Sequence, residues 1–102
     1  MKIYYRPAAI EDIQRVSDYL ENVLKNPVAA QRLKRKILNS ISLLKENPEM
    51  GVLLKNKYEE VDSDYRFITI NKQLVFYEIN DDIIEIVRII DGRTDYMTHI
   101  FE

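Results

Sequence analysis

The chain has no cysteine and no tryptophan, a single histidine, 2 glycines and 3 prolines. Without cysteine there are no disulfides, thiolate nucleophiles or sulfur-ligated metals, and one histidine gives no basis for a zinc centre. Neither a metal nor a cofactor is expected. The scarcity of glycine and proline excludes fibrous and low-complexity classes. No apolar run approaches the roughly 20 residues that span a bilayer, and Met1 to Pro7 lacks the apolar core of a secretory signal. A cytoplasmic protein without membrane association is the expectation.

What is present describes an ordinary globular unit. Over 102 residues, 46% are hydrophobic and 31% charged, and a chain of this size buries only about two-thirds of its unfolded surface, so residues 1–102 are expected to share one domain. With 15 Lys+Arg against 17 Asp+Glu the net charge is −2, which gives no global attraction to nucleic acid. The charge is uneven. Arg32, Lys34, Arg35 and Lys36 form a basic run, whereas Glu59, Glu60, Asp62 and Asp64 form an acidic one; as bare patterns these read as a solvated helix face and a solvated loop.

Hydrophobic periodicity sets the predicted elements. Met1 to Tyr5 reads as a short strand or extended lead-in, stopped by Arg6-Pro7. Ile10, Ile13, Val16, Leu20, Val23 and Leu24 recur at helical spacing and predict a first helix with that stripe toward a core. Lys25-Asn26-Pro27 interrupts it, and Ala30, Leu33, Ile37, Ile41 and Leu44 mark a second helix that Asn47-Pro48 ends. Glu49 to Asp64 has no sustained period, although Val52-Leu53-Leu54 suits a short strand or a plug over the core. Three aromatic and β-branched runs follow, Tyr65 to Ile70, Gln73 to Ile79 and Ile83 to Ile90, separated by short turns. They predict an antiparallel meander whose last strand, apolar on both faces, is central. Arg93 to Glu102 reads as a short helix or docked tail. The expected class is thus α+β: N-terminal strand, antiparallel helix hairpin, three-stranded antiparallel meander, and short C-terminal helix or tail.

Four segments in this order carry a resemblance: Asn47-Pro48-Glu49-Met50-Gly51, Tyr65-Arg66, Leu74-Val75-Phe76-Tyr77-Glu78-Ile79, and Val87-Arg88-Ile89-Ile90-Asp91-Gly92-Arg93-Thr94-Asp95-Tyr96. Together they resemble the RelE/ParE toxin superfamily over nearly the whole chain. The resemblance implies the toxin of a type II toxin–antitoxin pair, held inactive by a cognate antitoxin in a hetero-oligomer. RelE-like members cut messenger RNA on the translating ribosome, whereas ParE-like, plasmid-stabilisation members inhibit DNA gyrase.

If the chain is an enzyme, the resemblance implies metal-independent RNA cleavage with Arg66 and Arg93 stabilising phosphate and Tyr96 stacking on a base or handling a proton. Lys55, Lys57 and His99 would be further target contacts. Each has a structural alternative. Arg66 can pair with a carboxylate or cover the sheet, Arg93 sits between Asp91 and Asp95, and His99 fits an exposed helix position. Arg88, mid-strand among isoleucines, is expected to pair with Glu78 or Glu85. The acidic balance and the acids around Arg93 weigh against a ribosomal target, so the leading expectation is a ParE-like toxin that arrests growth through a macromolecular target such as gyrase. The alternatives are a RelE-like messenger endonuclease and a non-toxic protein-binding module on the same scaffold.

Overall fold

Arg6 is extended and Pro7 occupies the first helical turn, where its missing N–H costs nothing, so strand β1 (Lys2–Tyr5) passes directly into helix α1 (Pro7–Asp18). The computed structural model describes residues 1–101. At its far end α1 widens into one π-helical turn, Tyr19–Val23, closed by the Leu24 N–H donating to the Tyr19 carbonyl. Lys25 then takes a left-handed φ of 54°. Asn26 caps α2 (Pro27–Ser42) by accepting the Ala29 N–H at 3.0 Å, again with proline in the first turn. A 3₁₀ turn, Leu43–Lys45, finishes the second helix.

The remaining elements are β2 (Val52–Leu53), the single-turn α3 (Leu54–Lys57), β3 (Arg66–Ile70), β4 (Gln73–Asn80), β5 (Ile83–Asp91) and α4 (Tyr96–Ile100). They complete a five-stranded mixed sheet in the order β1-β5-β4-β3-β2. β1 runs parallel to β5, and the other pairs are antiparallel. The meander is therefore present, extended by β2 on one edge and by β1 on the other. Beside Tyr77 the register slips by one residue: Phe76 faces Arg88, Tyr77 faces Ile86, and Val87 is the extra residue of a β-bulge.

Both faces of the sheet are covered. Ala9, Ile13, Ile37, Ile41 and Leu44 pack on Val75, Tyr77, Ile84, Ile86 and Ile89 on the helix side. Leu54, Tyr96 and Ile100 pack on Leu74, Phe76, Val87 and Ile90 on the other. Complete burial of one such aliphatic side chain contributes about 1.5–3 kcal/mol. The α1 stripe departs from its periodicity: of Ile10, Ile13, Val16, Leu20, Val23 and Leu24 only Ile13 is buried, and Asp12 and Ser17 take buried positions beside it. Val23, Leu24 and Val52 are exposed, whereas Leu54 is fully buried as the plug beneath the second face.

Candidate protein-binding groove

The segments that carried the resemblance are largely tied into scaffold contacts. Tyr77 is fully buried, and its hydroxyl donates to the Pro48 carbonyl at 2.8 Å and accepts the Gly51 N–H at 2.8 Å. Burial raises the Tyr77 phenol above its ordinary value, and the Gly51 N–H works against that rise. A Cβ on residue 51 would stand 2.5 Å from the Tyr77 hydroxyl oxygen, so this position admits only glycine. Arg66, opposite Tyr77 on β3, donates to the Gly51 carbonyl at 2.8 Å and the Glu49 carbonyl at 3.4 Å. Asn47 to Gly51 is thus held to the sheet by an arginine and a tyrosine.

Arg88 pairs with neither Glu78 nor Glu85. Its Nε donates to Oδ2 of the fully buried Asp12 at 2.7 Å and its Nη2 to Oδ1 at 3.0 Å. The sheet explains why: β1 pairs with β5 only as far as Ile86. Beyond it the Ile89 N–H lacks a strand neighbour, and Asp12 Oδ2 accepts it at 2.8 Å. A helix carboxylate thus replaces the missing strand and brings Arg88 with it. Glu78 and Glu85 stand opposite one another, an arrangement that like charges oppose, and Arg6 bridges them at 2.7 Å each.

The residues proposed for RNA cleavage do not converge. By strand alternation Arg66 shares the helix-side face with Tyr77, whereas Tyr96 is buried in the core of the opposite face. The Tyr96 hydroxyl is hydrogen-bonded to that of Tyr58, a contact that raises the Tyr58 phenol above its ordinary value. Arg93 follows the far end of β5. The row of Arg66 crosses β5 at Ile86, roughly 16 Å of strand from Asp91. There Arg93 is closed on Asp91, its Nε 2.9 Å from Oδ1, and this pairing holds the Asp91 carboxyl down at about 2. Lys55 pairs with Asp64 at 3.1 Å, and the Lys57 ammonium lies 5.6 to 5.8 Å from the ring centres of Phe67, Tyr58 and Tyr96. His99 sits on α4, where its backbone carbonyl accepts a long contact from Arg88.

The large concavity lies elsewhere. A groove of about 870 Å³ runs between the α1 end and the end of β5. Val16, Tyr19, Leu20, Leu24 and Leu33 from the helices line it, together with the Ile89–Ile90 stretch of β5. Arg15, Lys72, Arg88, Arg93 and His99 also line it, with Asp91 as the one acid among its described lining residues. Tyr19 and Leu24 are about half exposed, so apolar surface remains uncovered in the groove, and of the cations that line it Arg15 and Arg88 are paired with Asp12 and Arg93 with Asp91. Arg93 and His99 belong to this groove, whereas Arg66, Tyr96, Lys55 and Lys57 do not line it. A helical stripe alone does not reveal where its helix overhangs the sheet, and the exposure of Leu24 marks that place here. Among the described residues no group of His, Asp and Glu is placed to hold a metal ion, and no helix is long and apolar enough to cross a membrane.

This α+β fold, with a helix hairpin on one face of a mixed sheet and a short C-terminal helix under the other, is that of small toxins from two-gene modules. A family model described as the ParE toxin of type II toxin–antitoxin system, parDE, matches residues 3–96, and the chain belongs to that family. Among solved structures it is similar to a chain of the chromosomal ParDE TA system from P. aeruginosa, with a TM-score of 0.73 and 20% identity. That alignment covers 89% of this chain and 95% of the other. A search of curated proteins finds no match.

Proposed function

We propose that this toxin arrests growth by a protein contact with a cytoplasmic macromolecular target, DNA gyrase, and that a cognate antitoxin neutralises it by laying an amphipathic segment in the groove at the α1 end. The observation that carries the first half is the dispersal of the catalytic candidates. Arg66 is spent on the Glu49 and Gly51 carbonyls, Tyr96 is buried with its hydroxyl partnered, and Arg93 is closed on Asp91. A phosphorane needs donor, acceptor and cation within reach of one phosphate. The groove supports the second half, because apolar anchors spaced along a helix would pack on its Tyr19, Leu20, Leu24 and Leu33 side chains.

The test is growth arrest on induction of the chain without its antitoxin. Arg93→Ala and Tyr96→Phe are expected to remain toxic, since neither residue acts on RNA in this reading. Loss of toxicity in both variants, with folding and antitoxin binding intact, would transfer the assignment to messenger cleavage. Indifferent growth at confirmed wild-type expression would instead mark a non-toxic binding module.

A further inference from the structure

The net charge of −2 hides a segregation. Residues 22–45 contain Lys25, Arg32, Lys34, Arg35, Lys36 and Lys45 and no acid, leaving 9 of the 15 Lys and Arg to share the rest of the chain with all 17 Asp and Glu. Helix α2 supplies most of this stretch. Its inward face is Ala30, Ile37 and Ile41, so Arg32, Arg35 and Lys36, three and four residues apart, are exposed on the other side. None of these three has a carboxylate partner among the described ion pairs. Lys36 reaches the Asn71 side chain at 2.8 Å, which brings the exposed Lys72 beside the same row.

We propose that the outer face of α2 binds the phosphate backbone of duplex DNA. From Arg32 to Lys36 the helix rises about 6 Å, so the three cations gather on one short patch within reach of neighbouring phosphates of a duplex. Asn39 and Ser40, beside them around a shallow hollow, add neutral donors of the kind that position a protein on phosphate oxygens. Residues 22–45 include no aromatic side chain, so the face offers no platform for stacking single-stranded bases, which points to a duplex bound without regard to sequence. An anionic bilayer is a poorer fit, because Ala30, Ile37 and Ile41 are buried in the core and the exposed apolar residues Val28, Leu38 and Leu43 are scattered rather than gathered into an inserting face. Arg32, Arg35 and Lys36 do not line the groove, so their contact with phosphate does not depend on how the toxin acts.

The experiment is fluorescence anisotropy of a labelled, sequence-scrambled 24-base-pair duplex titrated with the purified chain at low and moderate salt. Three phosphate contacts predict a slope near −2.7 in log K against log salt, or about 40-fold weaker binding between about 50 and 200 mM salt. The triple variant Arg32→Gln/Arg35→Gln/Lys36→Gln should lose at least tenfold in affinity at the lower salt and most of that slope, with its circular dichroism unchanged. A charge-preserving Arg32→Lys/Arg35→Lys variant should bind within threefold of wild type. Wild-type binding that is undetectable at the lower salt, or a triple variant that binds equally well, would overturn the proposal. So would tighter binding to phosphatidylserine vesicles, to single strands or to polyglutamate than to the duplex.

Discussion

Removing the Asp12 carboxylate should be among the costliest single changes on the surface of the sheet. The carboxylate is fully buried and accepts from Arg88 Nε and Nη2, from the Ile89 N–H and from Arg15 Nη1, all within 3.0 Å. Asp12→Ala removes a buried carboxylate from beside the Arg88 guanidinium and strands the Ile89 backbone donor on β5. Breaking a buried pair from one side costs about 3–5 kcal/mol. The Arg88 side chain is 22% exposed, so water recovers part of its solvation and the lower end, about 3 kcal/mol, is the appropriate figure. Against a total stability of roughly 5–15 kcal/mol this is a large fraction, and it lowers the melting temperature by roughly 10–20 °C. Urea unfolding followed by circular dichroism measures it, with m unchanged if the native state keeps its compactness. The double variant Asp12→Leu/Arg88→Met should recover much of the loss, because two matched apolar groups carry no unpaired charge. An Asp12→Ala loss below about 1 kcal/mol, or a double variant worse than the single one, would show that this carboxylate does not hold α1 to β5.

Four further outcomes follow from named contacts. Tyr77→Phe removes the hydrogen bonds to Pro48 and Gly51 and should cost about 1–3 kcal/mol, with hydrogen exchange at the Gly51 amide accelerated far more than at Ile89. Gly51→Ala should be at least as damaging, since its Cβ meets the Tyr77 hydroxyl; unchanged thermal stability would show that the turn is not pinned there. The Asp91 carboxyl, depressed by Arg93, adds stability that is complete above the ordinary carboxylate value of 3.8 and disappears as pH falls through about 2. In an NMR titration, Arg93→Ala should return its midpoint toward 3.8. In the groove, Leu24→Asp should weaken antitoxin binding by tenfold or more, about 1.4 kcal/mol, while leaving the melting temperature nearly unchanged, because Leu24 is 53% exposed.

Much of the fold was legible because its elements follow single rules. The proline at the start of each long helix and the three β-rich runs all sit where propensity and period put them. What escaped was non-local. Nothing in Lys2–Tyr5 announces a parallel partner 81 residues on, and no local period marks the bulge at Val87. Arg88 found Asp12 because β1 stops short and α1 turns a carboxylate onto the vacant edge. The same limit applied to the site. Arg66 and Tyr96 are both prominent in the sequence, yet strand alternation sets them on opposite faces, and no spacing rule reports the depth of the groove at the α1 end.

Purified toxin incubated with gyrase, relaxed plasmid and ATP, in parallel with translating ribosomes on a defined message, should abolish supercoiling and leave the message intact. Untouched supercoiling together with cleavage of the message on the ribosome would show instead that the toxin acts on RNA.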